Sequence, residues 1–177
     1  MRVISGKYKG KSIMGFNVSD TRPTMDRVKE SVFGMIQGYI KDSVCLDLFA
    51  GSGSLGIEAL SNGAKTCYFV EKNTEIYNIL NNNLKDISGY FLFKCDYMSA
   101  LKNFSDKGIK FDLIFLDPPY KLNLINGILD YICDNNLLND EGLVVCEFEC
   151  ERVNSLRLDL FKSKKYGSKM VNIYKKI

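Results

Sequence analysis

At 177 residues, with 46% hydrophobic and 25% charged residues, the chain has the size and composition of one globular domain, with no room for a second full one. No run approaches the roughly 18 apolar residues of a membrane helix, and the opening Met1-Arg2-Val3-Ile4-Ser5-Gly6 is not a charged segment leading into an apolar one, so a cytoplasmic protein is expected. There is no histidine, which removes the usual general base and every Ser-His or Cys-His arrangement. Six cysteines at 45, 67, 95, 133, 146 and 150 form no Cys-x-x-Cys pair; they read as small buried hydrophobes rather than zinc ligands, and no metal is expected. Net charge is only +3 but uneven: residues 1–29 carry seven Lys/Arg against two Asp, residues 161–177 carry six Lys and no acid, and the rest carries eleven against nineteen. Both ends are basic, either as solvated termini or as a phosphate-contacting surface assembled from both.

In chain order, residues 1–20 form a basic extension. Its first fifteen alternate apolar and basic around Gly6 and Gly10, which suits a β-hairpin appendage carrying Arg2, Lys7, Lys9 and Lys11 on one side. Thr24 can cap a helix in which Met25, Val28, Val32, Met35 and Ile36 recur at helical spacing until Gly38. Strands at 44–49, 66–71, 90–95, 111–116 and 142–148 then alternate with helices at 54–62, 74–86, 98–105 and 122–135. The strands are almost continuously apolar, as burial on both faces requires. Runs at 156–161 and 169–174 leave little room for a helix between them and are expected to close the sheet as an antiparallel hairpin. The fold class is α/β: a doubly wound, Rossmann-like, mostly parallel seven-stranded sheet in one domain over 1–177.

Two loops carry chemistry. Gly51-Ser52-Gly53-Ser54-Leu55-Gly56 puts Gly-x-Gly-x-x-Gly between a strand and a helix, and Glu71 ends the next strand twenty residues after Gly51. Such a turn lets a ligand approach backbone amides, and the carboxylate can accept both ribose hydroxyls; the alternative is a structural turn with a surface glutamate. Asp47 argues against a dinucleotide, whose pyrophosphate a buried like charge would repel. Asp96 closes the third strand, either as the N-cap of the next helix or as a ligand contact. The second loop, Asp117-Pro118-Pro119-Tyr120, ends the strand expected beside the glycine-loop strand. A nucleobase exocyclic amine is a poor nucleophile because its lone pair is delocalised. Asp117 can accept one N–H and the Pro118 carbonyl the other, the prolines stiffen the loop, and Tyr120 offers a ring on which an extruded base can stack.

Asp47-x-Phe49-x-Gly51-x-Gly53 resembles motif I of the S-adenosylmethionine methyltransferases, and Asp-Pro-Pro-Tyr after it resembles the signature of amino-group methyltransferases on nucleobases. The opening Arg2 to Lys11, Thr21-Arg22-Pro23-Thr24-Met25-Asp26-Arg27-Val28-Lys29-Glu30, and Lys165-Tyr166-Gly167 are similar to the bacterial 16S rRNA guanine-N2 methyltransferases of the RsmD type. The resemblance runs over nearly the whole chain, with Asn62 standing where relatives often have a basic residue. It implies S-adenosylmethionine as cofactor, held by Asp47, Phe49, Gly51, Ser52, Gly53, Glu71, Lys72, Asp96, Tyr97 and Asp117, with Asp96 receiving the adenine amino group. It implies catalysis by Asp117, Pro118, Pro119 and Tyr120 on N2 of one guanine. The expected partner is 16S rRNA in the small subunit or a late assembly intermediate, with no membrane and a monomeric chain. The RNA contacts expected are Arg2, Lys7, Lys9, Lys11, Arg22, Arg27, Lys165 and Tyr166. Arg22 and Arg27 can equally be solvated, and Lys164, Lys165 and Tyr166 can equally decorate an edge strand. Rival readings are an adenine-N6 methyltransferase, a nicotinamide oxidoreductase, and a non-catalytic RNA-binding protein.

Overall fold

The computed structural model describes residues 1–16, 22–119, 123–149 and 152–176, with the side chains of 22–24 left aside. Seven strands, β1 (Val44–Asp47), β2 (Thr66–Val70), β3 (Tyr90–Phe93), β4 (Phe111–Leu116), β5 (Leu138–Phe148), β6 (Asp159–Tyr166) and β7 (Lys169–Lys175), form one sheet in the order β3-β2-β1-β4-β5-β7-β6. The first five run parallel, and β7 is antiparallel to both β5 and β6. The order reverses between β1 and β4, which puts a crevice at the carboxyl ends of these neighbours.

Alternation along the central strands divides the core. Cys45, Leu113, Phe115 and Val145 face one side, where Ile36 of α1 (Arg22–Ile36), Ile57 of α2 (Ser54–Ser61) and Leu80 of α3 (Thr74–Asn83) cover them. Leu46, Ile114, Leu116 and Val144 face the other, beneath Leu101 and Phe104 of α4 (Tyr97–Asp106) and Ile128 and Ile132 of α5 (Ile125–Asp134). Burial of both faces is why these strands read as unbroken apolar runs. Burial also pushes the Cys45 thiol up to about 12, the behaviour of an inert core cysteine; Cys150 lies outside the described residues.

Three expectations are corrected. The first fifteen residues are no appendage: Val3 and Ile13 are buried in the core, and the short antiparallel hairpin, with Val3 donating to the Lys11 carbonyl and Ile13 to the Met1 carbonyl at 2.9 Å about the Arg2–Ser12 bridge, is packed into the domain. Helix α1 begins at Arg22, so Thr24 stands in its first turn and is not the cap. Strand β6 starts at Asp159, not 156, and runs on through Lys162, Lys164 and Lys165. As the outermost strand it pairs on one side only and tolerates lysines that also discourage pairing with another chain.

Candidate active site

The glycine loop connects β1 to α2, and its shape is imposed from beneath. Asp47, 2% exposed, accepts the Gly56 amide through Oδ2 at 2.9 Å, tying the strand end to the first turn of the helix. Gly53 donates to the Ala50 carbonyl at 2.7 Å in a tight turn with φ +84. A Cβ there would lie 2.5 Å from Leu80 Cδ1, and one on Gly56 would lie 2.3 Å from Phe69 Cε1. Packing therefore explains the second and third glycines. Gly51, at φ +53, is different: its amide donates to Glu71 Oε2 at 3.1 Å. The other Glu71 oxygen accepts the Asn73 amide at 2.8 Å. Each carboxylate oxygen keeps accepting capacity, and the side chain is only half-buried.

Both suggested roles of Asp96 are compatible with its placement. It caps α4, with Oδ1 accepting the Met98 and Ser99 amides and Oδ2 accepting the Ser99 hydroxyl at 2.6 Å. These Ser99 bonds hold its carboxyl below the usual range, and the group stays exposed at the strand end. The rings of Phe49 and Tyr97 meet at 5.3 Å, bringing the β1 loop and the start of α4 together, while Ser52 is buried and Lys72 exposed. On the far side of β1, the last paired residue of β4 is Leu116, opposite Cys146. Asp117, half-buried, Pro118, buried, and Pro119, exposed, follow directly beyond it. Tyr120 lies outside the described residues.

The basic ends separate. The β6–β7 turn lies at the carboxyl edge of the sheet, since β7 begins opposite the end of β5, where Phe148 pairs Met170. Lys165 is exposed there, but Tyr166 is committed to α1: its hydroxyl donates to Ser31 Oγ at 2.6 Å, which also accepts from Lys164 Nζ at 2.9 Å. Arg27 is exposed near the start of α1, and the Arg22 side chain lies outside the description. Lys7 and Tyr8 instead sit beside Ser61 and Ser88, before the starts of β2 and β3, at the edge opposite Asp117. Lys11 reaches the Lys85 carbonyl at 2.9 Å, Lys9 is exposed, and Arg2 uses its carbonyl to accept from Lys29 Nζ at 2.8 Å. The two ends thus do not form one surface around the crevice.

Sequence reasoning missed what fastens the extension. Glu58 on α2, 1% exposed, meets Lys29 Nζ at 3.0 Å and accepts the Ile4 and Ser5 amides and the Ser5 hydroxyl. Asn62, the departure from the family pattern, joins the same cluster: its Oδ1 accepts the Ser5 hydroxyl and its amide donates to the Glu58 carbonyl. One signal was available, a lone glutamate inside the apolar helix Leu55-Gly56-Ile57-Glu58-Ala59-Leu60.

A family profile described as Conserved hypothetical protein 95 matches residues 1–175. YlbH of Bacillus subtilis is 40% identical over 99% of both chains. The Ribosomal RNA small subunit methyltransferase D of Haemophilus influenzae is 36% identical over 98% of this chain and 93% of its own. The chain belongs to the RsmD-type family of class I S-adenosylmethionine-dependent methyltransferases. The solved yhhF protein of Escherichia coli superimposes with a TM-score of 0.86 at 32% identity, over 99% of this chain and 97% of that one.

The residues fit the family's cofactor. The Gly51 backbone, the Glu71 carboxylate and the exposed Asp96 carboxylate lie at the ends of adjacent strands β1, β2 and β3, in the order of a nucleoside reaching across them. Glu71→Ala should weaken binding of S-adenosylhomocysteine about 10–100-fold by titration calorimetry, the worth of a charged group accepting hydroxyl hydrogens; an unchanged Kd would remove Glu71 from the ribose role. Asp47 carries a pH signature. Burial, opposed by the Gly56 amide and reinforced by Glu71, raises its carboxyl from 3.8 to about 7. The folded chain therefore holds a proton that the unfolded chain releases, so the contribution to stability is complete below the ordinary carboxyl pKa and is lost as pH rises through about 7. Asp47→Asn keeps an acceptor for Gly56 and lacks that dependence. The Tm of the wild type should fall relative to this variant between about pH 4 and pH 7 and level off above that; a pH-independent difference would contradict the assignment.

Proposed function

We propose that this RsmD-type methyltransferase transfers one methyl from S-adenosylmethionine to the exocyclic N2 amino group of a guanine in 16S rRNA, with the small ribosomal subunit or its late assembly intermediate as substrate. The observation that carries the reading is Asp117-Pro118-Pro119 beginning where β4 leaves the sheet, next to the strand that ends in the glycine loop. Relatives named Ribosomal RNA small subunit methyltransferase D support the choice of RNA.

The cofactor, when bound, supplies an electrophilic methyl on a cationic sulfur. The chain's own work is positional. Asp117 accepts one hydrogen of the extruded amine and the Pro118 carbonyl accepts the other, favouring a pyramidal nitrogen with its lone pair aimed along the transfer axis. Pro118 and Pro119 restrict the loop, and Tyr120 provides a stacking face for the base. No strong base is needed, because the amine can lose its proton after methylation.

RNA is held at two places. Arg22 and Arg27 belong to α1 and Lys165 to the end of β6, at the edge where the base enters, and Tyr166 fastens that end of β6 to α1 through Ser31. Arg2, Lys7, Lys9 and Lys11 belong to the extension, whose tip serves a second phosphate run on the far edge, as a folded particle can offer. Lys165→Glu should raise KM for small-subunit particles several-fold, reduce the slope of log affinity against log salt by about one, and leave S-adenosylhomocysteine affinity unchanged; an unaltered KM and slope would remove it from the interface. The function itself is tested with labelled cofactor and particles lacking the modification: label enters small-subunit RNA, and transfer only to DNA or to large-subunit RNA would overturn the proposal.

A further inference from the structure

Asn83, the last residue of α3, is 6% exposed, and every hydrogen-bonding group of its amide faces a partner from another part of the chain. Its Oδ1 accepts the Met14 amide at 2.9 Å, and its Nδ2 donates to the Met14 carbonyl at 2.9 Å and to the Ser52 carbonyl at 2.9 Å. The first two bonds clasp the strap that leaves the extension; the third reaches between Gly51 and Gly53. Two residues along the strap, Phe16 lies against the same loop, its Cε1 only 3.1 Å from where a Cβ on Gly51 would stand, although the ring is 44% exposed. A large aromatic left this open, seated on the one glycine of the loop that packing beneath does not explain, is poorly accounted for by core formation alone. A second strut links the extension to the end of the loop: Lys29 Nζ donates to the Arg2 carbonyl at 2.8 Å and to the Ser54 hydroxyl at 3.1 Å.

We propose that Asn83 is a positioning residue for the cofactor and that Met14, Gly15 and Phe16 form a working wall of the cofactor site, so that docking of the strap and occupancy by an S-adenosyl ligand favour each other. The inference rests on reading residues 51–56 as the cofactor loop. A ligand that fixes the Gly51–Gly53 backbone fixes the Ser52 carbonyl. Through one buried amide it then favours the docked strap, and by linkage the docked strap raises ligand affinity by the same factor. An apolar residue of similar size at 83 would fill the space without this coupling, whereas aspartate keeps the shape and turns lone pairs toward two carbonyls.

The test combines calorimetry with S-adenosylhomocysteine and hydrogen exchange on the full chain, comparing wild type, Asn83→Asp and the surface variant Phe16→Ala. In the wild type, saturating ligand should slow exchange in residues 12–16 as well as 51–56. Asn83→Asp should raise Kd about tenfold; at saturation its loop should still be protected while the strap is not. Phe16→Ala should keep the wild-type Tm and raise Kd about threefold. A wild-type strap indifferent to ligand while 51–56 is protected would overturn the coupling alone, and so would wild-type affinity in both variants. Absence of protection at 51–56 would instead bring down the cofactor-loop reading and the inference with it. Should Asn83→Asp fail to fold, Phe16→Ala and the wild-type exchange decide the matter.

Discussion

Asp117→Ala should lower the rate of methyl transfer about 10²–10³-fold while S-adenosylhomocysteine binds within about threefold of wild type. The split follows from position. Asp47 pairs with Phe115 across β1 and β4, so Asp117 lies two residues beyond that register, past the strand end, which is where the proposed function puts the target base. An exocyclic nitrogen whose lone pair is spread into its ring reacts readily only when both its hydrogens are held, and alanine leaves the one that Asp117 accepts unheld, with only the Pro118 carbonyl remaining. Asp117→Asn retains one acceptor of the same size and should lose less. Single-turnover rates with small-subunit particles separate these cases, and an alanine variant with a near-normal rate would remove Asp117 from the chemistry.

Lys29→Met should cost about 3–5 kcal/mol of folding stability, because it strands Glu58 as a buried charge. Four donor groups, the Ile4 and Ser5 amides, the Ser5 hydroxyl and the Asn62 side-chain amide, still bond the Glu58 carboxylate, which places the expectation toward the lower figure. For a chain of this length, about 3 kcal/mol corresponds to a Tm lower by roughly 6–12 °C. Glu58→Gln in the same background should restore part of the loss, since the amide oxygen still accepts from the Ile4 and Ser5 backbone without a buried charge. A Tm within about 1 °C of wild type would mean that the ion pair contributes nothing net, as many exposed pairs do. The pair also bears on activity, because it fastens the extension whose strap adjoins the glycine loop.

What could be read from the chain followed from locality. Strands such as Leu113 to Leu116, buried on both faces, announce themselves as apolar runs, and the glycine loop and Asp117-Pro118-Pro119 are contiguous words whose position at strand ends follows from alternation of elements. The extension was misread because Val3 and Ile13 are ten residues apart and answer to no period; they join the apolar core, and Glu58 and Lys29, brought together from α2 and α1, fasten the neighbouring backbone there through Arg2, Ile4 and Ser5. Strand β6 was placed early because Leu156, Leu158 and Leu160 look like a strand. Only Leu158 of the three is buried, and the pairing with β7 runs on through lysines that an edge strand accommodates. Asn83 sits in Asn81-Asn82-Asn83, where nothing local separates the bridging amide from its neighbours. The hydrogen bond of Tyr166 to Ser31 spans 135 residues, so no local pattern announces it.

Digestion to nucleosides of small-subunit RNA methylated by the purified enzyme tests the central claim most directly. The labelled product should be N2-methylguanosine, one per particle; N6-methyladenosine would contradict the guanine assignment, since the Asp117-Pro118-Pro119-Tyr120 loop suits either amine on physical grounds.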